Sequence, residues 1–522
     1  MQHSGLTTRP TEFRRDRRPT TRNLLARGSG ACALLLASAP IALGQTVTIP
    51  EAWGSRSGDS EVLAFTHVTV VDVAAGELLE DHTVVVRGDS IVTVAPALLV
   101  LVPQGASVVD ATDRFLIPGL WDMHAHPDDP EVWELLDPAP EQRDLLIPQF
   151  PLWGVTGIRD MGGSWNVIRD WRERIAEGEL LGPRIVAPGP LIDGPEPMWP
   201  GSVPVVDAQA ARHAVDSLLA EGVDFLKVYS LVPRDAFFAL AERARERGAL
   251  FAGHVPNRVD PVEAAESGMN SLEHAVLFPR PLADMDAVRL RVDGLGEDAT
   301  ADARRSAFIR GMAEEYEADR AWDVFRRLAD LETYVTPTLL VSRRIAWFDP
   351  GQADVETQLP YMPEYIRRWW TPEVNVHLRD QTPESARDMQ ILYATMSRIT
   401  AEMHAAGIRL LVGTDTGGNP HLFPGFTVHE EMEELVAAAG LTPTDALRAA
   451  TLNPAAYFGL SDQLGTIDEG KRADLVLIDG NPLDNIRNTR RIAGVMVGGR
   501  WIDTADRLNL LEEIRKRARS GE

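Results

Sequence analysis

Residues 116–126, with the sequence LIPGLWDMHAH, form a short apolar run that ends in two histidines. The run predicts a buried β-strand, and residues two apart on a strand point to the same face. His124 and His126 are therefore expected to direct both imidazoles toward one point. A single strand histidine is more often a hydrogen-bonded core residue than a ligand, so the meaning of the pair depends on the rest of the chain.

Seven further short apolar runs follow, and helical stretches separate several of them. Strand–helix alternation predicts a parallel sheet, and eight strands over about 340 residues are typical of a (β/α)8 TIM-like barrel. The sequence predicts such a barrel over residues 119–461, with an insertion at about 280–395 that forms helices over its mouth. The seven runs are GVTGIRDMGG (154–163), RIVAPGPLI (184–192), VDFLKVYS (223–230), ALFAGHV (249–255), NSLEHAVLF (270–278), TYVTPTLLV (333–341) and IRLLVGTDTGG (408–418).

Short β-rich runs separated by turn residues also lie on either side of this middle region. Examples are VLAFTHVTVVDV (62–73) and IAGVMVGGRWID (492–503). Such runs are typical of a small sheet. The predicted fold class is therefore α/β, a TIM-like barrel with a small composite β-sandwich domain built from both termini, residues 60–118 and 462–508.

Residues 1–44 differ in composition from the rest of the chain. A basic stretch precedes the short apolar run ACALLLASAPIALG (31–44), which ends in small residues. This pattern predicts a secretory signal peptide, because the run is too short to span a bilayer comfortably as an anchor. We therefore expect a secreted or periplasmic protein with no membrane association after signal cleavage. The only cysteine, Cys32, lies in this segment, so the mature chain would have no disulfide and no thiolate ligand.

The composition also limits the partners. The chain carries 77 Asp and Glu against 52 Lys and Arg, with a formal net charge of −25. Such an acidic surface repels phosphate backbones, which argues against nucleic acid as a partner. We expect a small-molecule substrate, and the sequence leaves open whether the chain forms a homo-oligomer.

Four more polar residues lie toward the carboxyl ends of predicted strands: Lys227, His254, His274 and Asp415. Active sites form at that face of a (β/α)8 barrel. Each residue alone has an ordinary structural explanation, such as a hydrogen-bonded core histidine or an aspartate that caps a turn. Combined with the two histidines of the first strand, and without cysteine, they make a nitrogen and oxygen ligand set of the type that binds Zn²⁺.

Lys227 is unusual for this chain, which contains three lysines, Lys227, Lys471 and Lys516, and otherwise uses arginine. A buried, unpaired ammonium is costly, yet Lys227 stands in the middle of an apolar run. A partner carboxylate such as Asp415, or service as a neutral base, would account for it.

These motifs resemble those of the amidohydrolase superfamily of metal-dependent hydrolases. The resemblance is to the binuclear branch of imidazolonepropionase-like hydrolases and Xaa-Pro dipeptidases (prolidases), and it covers roughly residues 60–505. It implies the same fold, a metal-binding (β/α)8 barrel with a small composite β-sandwich. The motifs that carry it are FLIPGLWDMHAHP (115–127), DFLKVY (224–229), GHV (253–255), EHA (273–275), VGTDTG (412–417), GLTPTDALRAATLNPAAYFGL (440–460) and GTIDEGKRADLVLIDGNPL (465–483).

The resemblance implies a chemical role for Lys227. In binuclear members the lysine at the end of the fourth strand is carboxylated by CO2, and its carbamate bridges two metal ions. This reaction would turn a buried cation into a bidentate anion, which two divalent cations stabilise. Arginine could not take this role, because its guanidinium stays protonated.

The same resemblance implies an assignment of the other ligands. His124, His126 and Asp415 would hold one metal ion, and His254 and His274 would hold the other, with Zn²⁺ as the best fit to the ligand set. A hydroxide would bridge the two ions. Asp415 would act as the general base that takes the water proton and delivers it to the leaving amine.

Two further residues are candidate substrate contacts. Tyr229 shares the inward face of its strand with Lys227 and lies nearer the mouth of the barrel. His421 follows Asp415 in the loop GGNPHLFPG (417–425). Each has a structural alternative, since Tyr229 could simply pack at the mouth and His421 could line or cap its own loop.

The function implied by the resemblance is that of a secreted binuclear hydrolase cleaving an amide or peptide C–N bond, with a dipeptide or an N-acyl amino acid as substrate. The alternatives are a mononuclear deaminase on a similar barrel and a lactonase or phosphotriesterase with the same metal cluster. A mononuclear site needs no bridging lysine, so Lys227 argues against a deaminase. A degenerate, non-catalytic member should lack metal ligands, and here all six positions are filled.

Overall fold

The computed structural model describes residues 61–520, apart from residues 130, 131, 133–135, 137, 297 and 380. The predicted signal peptide lies outside the described residues, so the signal peptide and the predicted localisation stay predictions. Within the described part of the chain, no helix combines the length and the apolar character that crossing a membrane requires.

Strands from both ends of the described chain form one mixed sheet of eight strands, in the order β18-β17-β16-β5-β1-β2-β3 with β4 beside β1. Strand β5 pairs with β1 and with β16, which joins N-terminal and C-terminal strands. The boundaries of a separate β-sandwich domain stay a prediction. The strands are β1 (Val62–Asp72), β2 (Glu77–Arg87), β3 (Ser90–Pro96), β4 (Ser107–Asp110), β5 (Phe115–Pro118), β16 (Leu475–Ile478), β17 (Ile492–Val497) and β18 (Arg500–Asp503).

The middle of the chain contains strands that all pair in parallel. One sheet has the order β6-β7-β8, and a second has the order β10-β9-β11-β12-β13-β14-β15. All eight runs predicted as strands contribute to these two sheets. The strands are β6 (Leu120–Ala125), β7 (Val155–Asp160), β8 (Arg184–Val186), β9 (Ile192–Asp193), β10 (Val203–Pro204), β11 (Leu226–Val228), β12 (Phe251–Gly253), β13 (Ser271–Glu273), β14 (Tyr334–Thr336) and β15 (Arg409–Leu410).

Two of the predicted strands are each divided in the structure. The run at 116–126 crosses from β5 to β6 at Pro118 and Gly119, so it links the mixed sheet to the parallel strands. The run at 184–192 is divided into β8 and β9 by Pro188, Gly189 and Pro190. Proline lacks a donor for the ladder and glycine adopts positive φ, which is 67° at Gly189.

Backbone hydrogen bonds connect the two parallel sheets at two places. Met123 N donates to Val412 O at 2.8 Å, and His126 N donates to Thr416 O at 2.8 Å. On the other side, Asp224 N donates to Ala187 O at 2.9 Å. The strand that carries the first two histidines therefore lies directly beside the segment that carries Asp415.

Helices alternate with several of the parallel strands, as the sequence predicts. They are α1 (Pro140–Asp144), α2 (Gln149–Leu152), α3 (Trp165–Glu177), α4 (Ala208–Ala220), α5 (Arg234–Arg247), α6 (Pro261–Glu266), α7 (Met285–Asp293), α8 (Ala301–Glu314), α9 (Ala318–Asp330), α10 (Leu339–Ala346), α11 (Ala353–Gln358), α12 (Glu364–Trp369), α13 (Pro383–Ala405), α14 (Phe426–Ala437), α15 (Pro443–Ala450), α16 (Leu452–Tyr457) and α17 (Thr504–Ser520).

The predicted insertion at about 280–395 is mostly helical but is not one continuous segment. Helices α7, α8 and α9 precede β14, and α10 to α13 follow it. Because β14 pairs with β13 and β15, this stretch returns to the parallel sheet in the middle. The helices after β14 are the ones that reach the site described below.

The interior of the parallel strands has an apolar part and a polar part. Trp121 and Phe225 belong to one buried apolar cluster, and Phe458 contacts Trp121 with ring centroids 5.2 Å apart. Further along the same two chain segments, His126 and Lys227 face a cavity instead. The fold therefore fills one end of the interior with packed side chains and leaves the carboxyl ends of the strands for polar groups.

A buried ion pair fastens the parallel strands to the mixed sheet. Arg184 Nε donates to Asp474 Oδ2 at 2.6 Å, and both side chains are at most 8% exposed. The backbone N–H of Gly498 also donates to Asp474 Oδ1 at 3.1 Å. Removing one charge would leave the other buried without its partner.

We expect Asp474→Ala to lower the free energy of unfolding by about 3–5 kcal/mol, because the buried Arg184 would lose this carboxylate. Urea denaturation measures this change. The matched control is Asp286→Ala on α7, whose pair with Arg289 is 89% and 66% exposed and should cost about 1 kcal/mol or less. Equal losses in the two variants would contradict the role of the buried pair.

Candidate metal centre

Three of the predicted ligands meet at the junction of β6 and the segment after β15. His124 is fully buried, and its Nε2 lies 3.3 Å from His126 Nε2. Asp415 Oδ1 lies 3.3 Å from each of these two nitrogens. Gly413 allows this approach, because a Cβ at that position would lie 2.6 Å from the Cβ of His124.

The spacing of these three atoms fits a metal ion. Ligand atoms bound tetrahedrally at 2.0–2.1 Å from Zn²⁺ lie about 3.3–3.4 Å from one another. The three measured separations are each 3.3 Å. His124, His126 and Asp415 therefore form a triangle that matches one face of a tetrahedral site, and the donor set of two imidazoles and a carboxylate suits Zn²⁺.

Asp415 is held in a restrained conformation. Its φ is +57°, in the left-handed region that non-glycine residues seldom adopt. Its backbone N–H donates to His124 O at 2.6 Å, and Asn419 Nδ2 donates to its Oδ2 at 2.9 Å. Burial opposes ionisation of Asp415, but the charges and hydrogen bonds of His124 and His126 hold its pKa well below the usual range.

The second predicted pair, His254 and His274, follows β12 and β13. Their ring centroids lie 4.7 Å apart at 88°, and the ring of His274 lies 4.4 Å from that of His124. His274 also has positive φ, at 64°. All four histidines line the same cavity, together with Lys227 and Asp415.

Each of the four imidazoles uses its Nδ1 for a contact with another group of the protein. The Nδ1 atoms contact Glu273 Oε2 at 2.8 Å, Gly162 O at 3.1 Å, Ser230 Oγ at 2.8 Å and Thr338 Oγ1 at 2.9 Å, from His124, His126, His254 and His274 respectively. Such contacts orient metal-binding histidines and select their tautomer. Each Nε2 is therefore the ring nitrogen that remains to bind a ligand.

Lys227 is buried, with 1% of its surface exposed, and lines the same cavity as the four histidines. Burial lowers the pKa of its ammonium to about 8, although Glu273 and Asp415 oppose the shift. The charge of Lys227 opposes protonation of all four histidines. Asp415 is thus near enough to stabilise an ammonium at Lys227. A partner carboxylate is one of the explanations that the sequence leaves open for a lysine in this apolar run.

The protonation of the histidines follows from this environment. Burial lowers the pKa of His124, His254 and His274, and Lys227 adds to that effect. His126 differs, because the hydrogen bond and charge of Asp415 outweigh burial and raise its pKa. Neutral imidazole is the form that binds metal. The lowered pKa values of His124, His254 and His274 therefore favour metal binding.

A buried charge network beneath the cluster was missed from sequence. Glu273 is 1% exposed and accepts from His124 Nδ1 through one oxygen and from Arg159 Nη2, at 2.8 Å, through the other. Arg159 is fully buried and also donates to Met123 O at 2.6 Å. The available signal was a charged residue in each of two apolar runs, GVTGIRDMGG and NSLEHAVLF.

The two predicted substrate contacts lie in different places. Tyr229 lines the cavity, and its ring lies 4.0 Å from that of His254. Burial raises the pKa of Tyr229, so its hydroxyl stays protonated and can donate a hydrogen bond. His421 is packed against Phe348 at 4.9 Å and Phe423 at 6.4 Å and is not on the described wall of the cavity.

The cavity has a volume of 690 Å³ and contains residues that the sequence did not single out. Asp129, Arg143 and Asn419 are polar examples, and His377 comes from the predicted insertion. Trp369 and Trp370, from the predicted insertion, are buried and donate to Gly418 O and Gly417 O at 2.7 and 3.4 Å. They anchor the loop after Asp415.

Comparisons with known proteins point to one superfamily. A family model described as the amidohydrolase family matches residues 377–502. The structure of bottromycin amidohydrolase is 25% identical, with a TM-score of 0.67, and the match covers 90% of this chain and 92% of that chain. The chain is similar to members of the amidohydrolase superfamily over most of its length.

A second solved structure supports the prolidase-like branch predicted from the motifs. It is a protein from Bifidobacterium longum described provisionally as a prolidase, 25% identical with a TM-score of 0.58, and the match covers 87% of this chain and 99% of that chain. The predicted resemblance to prolidase-like amidohydrolases is confirmed. The relatives support the predicted enzyme class, a hydrolase that acts on carbon–nitrogen bonds.

Curated relatives match over short segments. A 5-methylthioadenosine/S-adenosylhomocysteine deaminase from Teredinibacter turnerae is 36% identical over 90 residues, which is 16% of this chain and 20% of the relative. The chain therefore spans about a fifth of the length of the curated relatives it matches. Their activities are considered only as proposals for this chain.

We expect Glu273→Gln to weaken Zn²⁺ binding about 10- to 100-fold, because His124 would lose the carboxylate that orients its ring. Competition with a chelator of known affinity measures the change. The substitution also leaves Arg159 buried without its partner, so the double variant Arg159→Met, Glu273→Gln serves as a control that removes both charges. Zn²⁺ affinity equal to that of the unaltered protein, in either folded variant, would contradict the orienting role.

Proposed function

We propose that this chain is a metal-dependent amidohydrolase that binds two Zn²⁺ ions and hydrolyses an amide or peptide C–N bond. The observation that carries the proposal is the convergence of four histidine Nε2 atoms, Asp415 and Lys227 on one cavity. We further propose that the parallel strands form a closed (β/α)8 barrel. Backbone hydrogen bonds from β6 to the segment after β15, and from the segment before β11 to the segment after β8, support this closure.

The residues divide into two groups of donors. His124, His126 and Asp415 would hold one ion, and His254 and His274 would hold the other. Lys227, carboxylated by CO2, would contribute an oxygen to each ion. Only a neutral amine reacts with CO2, and the lowered pKa of Lys227 favours that form.

The proposed reaction adds water to the scissile carbonyl and releases an amine. Two bound divalent cations would lower the pKa of the attacking water and polarise the carbonyl. Asp415, ionised at neutral pH, would accept a proton from the water and deliver it to the departing nitrogen as the C–N bond breaks. Asn419 holds one carboxylate oxygen of Asp415 in place. The Tyr229 hydroxyl would donate to the substrate carbonyl or carboxylate.

The proposed substrates are dipeptides or N-acyl amino acids, small enough for the 690 Å³ cavity. Bottromycin amidohydrolase and the Bifidobacterium protein are named for amide and peptide chemistry, which supports this class. We also propose export to the periplasm or the medium, on the composition of residues 1–44.

A deaminase is the second candidate, since a curated deaminase matches part of the chain. The two functions differ in metal content and in product. A binuclear amidohydrolase should contain two ions per chain and release an amine or amino acid, whereas a mononuclear deaminase should contain one ion and release ammonia.

We expect Lys227→Ala to lose at least one of two metal ions and to lower kcat/KM by about three orders of magnitude, because the bridging oxygens are worth several kcal/mol. Metal analysis of the purified protein and hydrolysis of a dipeptide library measure both effects. A short carboxylic acid should restore part of the activity by replacing the carbamate. The control is Lys516→Ala, at an exposed lysine, and full activity in Lys227→Ala would exclude the bridging role.

We expect Asp415→Asn to lower kcat by about 10²–10⁴-fold, because the amide cannot accept the water proton. Steady-state kinetics and metal analysis should be measured on the same sample, so that loss of metal is separated from loss of the base. Asn419→Ala is the companion variant and should have a smaller effect, since it removes only a hydrogen bond to the carboxylate. A change of less than tenfold in a metal-loaded Asp415→Asn variant would argue against Asp415 as the base.

A further inference from the structure

One side of the cavity is apolar and is supplied by two helices of the predicted insertion. Val341 and Ile345 lie four residues apart on α10, and Met389 and Met396 lie seven residues apart on α13. Residues at these spacings share one face of a helix. Each helix therefore presents one apolar stripe to the same cavity that contains the metal-ligand candidates.

The apolar side is held by buried contacts that do not involve the cavity. At the start of α10, the backbone N–H groups of Leu339 and Leu340 donate to the Glu431 carboxylate at 2.9 and 2.8 Å. One turn later, Arg344 Nη2 donates to both oxygens of Glu430 at 2.7 Å. Helix α10 is thus positioned by its first turn and by Arg344, while Val341 and Ile345 line the cavity.

The charge of the wall restricts what can lie against this side. Among the described residues that line the cavity, those between β14 and β15 are Thr338, Val341, Ser342, Ile345, His377, Met389 and Met396. None of these is an acid, a lysine or an arginine. A charged group placed there would lose its hydration without gaining an ionic partner, which is costly.

We propose that this apolar side is a subsite for an uncharged, apolar side chain of the substrate, aliphatic or aromatic, next to the bond that is cut. Its description as a substrate subsite rests on the proposed function. Methionine is unbranched and fills irregular gaps, so Met389 and Met396 let the subsite accept several shapes, while Val341 and Ile345 form its rigid part. The substrates favoured by this site are those with leucine-, methionine- or phenylalanine-sized groups.

The test measures binding separately from hydrolysis. Acetamide, butanamide and hexanamide present the same polar group with chains of increasing length, and calorimetry gives their affinity for the metal-loaded protein. Burial of one methylene is worth about 0.8 kcal/mol, which is about fourfold in affinity. We expect affinity to rise by about that factor for each methylene that enters the subsite, and an affinity independent of chain length would overturn the proposal.

Variants of α13 locate the effect on this helix. Met389→Glu should abolish the gain with chain length, whereas Met389→Leu, which keeps an apolar side chain of similar size, should retain it. Ile391→Glu is the matched control, because Ile391 is half-buried on the same helix but is not on the described wall. Thermal unfolding confirms that the variants are folded, and an equal loss in Ile391→Glu would overturn the assignment to this wall.

Hydrolysis of a dipeptide and N-acyl amino acid library then separates the two proposals. Substrates with leucine or phenylalanine should exceed those with glycine or aspartate by about tenfold or more in kcat/KM. Chain-length-dependent amide binding without any hydrolysis would leave the subsite standing and contradict the proposed function. Hydrolysis that prefers charged side chains would support the function and overturn the subsite.

Discussion

Four imidazoles line one cavity. The orientation of each ring depends on the contact that it makes through its Nδ1 atom. A carboxylate, a backbone carbonyl and two hydroxyl groups occupy these four nitrogens. A ring whose Nδ1 is held in this way presents its Nε2 to the cavity. The metal-binding geometry is therefore set by residues behind the histidines as much as by the histidines themselves.

The side chains of both partners are fully buried in the contact between His124 and Glu273. Glu273 lies between Arg159 and His124, so one carboxylate stabilises a guanidinium and orients an imidazole. The positive charges of Arg159 and Lys227 hold the pKa of Glu273 well below its usual range, in spite of burial. The ionised Glu273 carboxylate therefore lies beside Arg159 and His124 and stabilises the buried positive charges of Arg159 and Lys227.

Local sequence patterns predicted the strands and their order along the chain because each strand is short, apolar and bounded by turn residues. They also indicated which polar residues meet, since His126, Lys227 and Asp415 stand where the apolar pattern is interrupted. They could not show that Glu273 and Arg159, 114 residues apart, contact each other. Such a pair depends on how two strands are placed across the interior.

His421 illustrates a second limit. It lies six residues after Asp415, and its nearness in sequence suggested that it could reach the substrate. The chain turns at His421, where φ is +57°, and the ring enters an aromatic cluster with Phe348 and Phe423. The two tryptophans of the insertion likewise bind loop carbonyls rather than facing the cavity. Side-chain direction in loops depends on tertiary packing, which a short motif does not encode.

Thr338 connects two properties of the site that could otherwise change independently. Its hydroxyl contacts His274, and the residue itself, at φ +50°, directly precedes α10, which carries Val341 and Ile345. A change that shifts the start of α10 would therefore also disturb a metal-ligand candidate. Thr338 does not adjoin helix α13, so it does not connect that helix to His274. New substrate preferences should consequently arise more readily through α13 than through α10, whose evolution is tied to the retention of the metal centre.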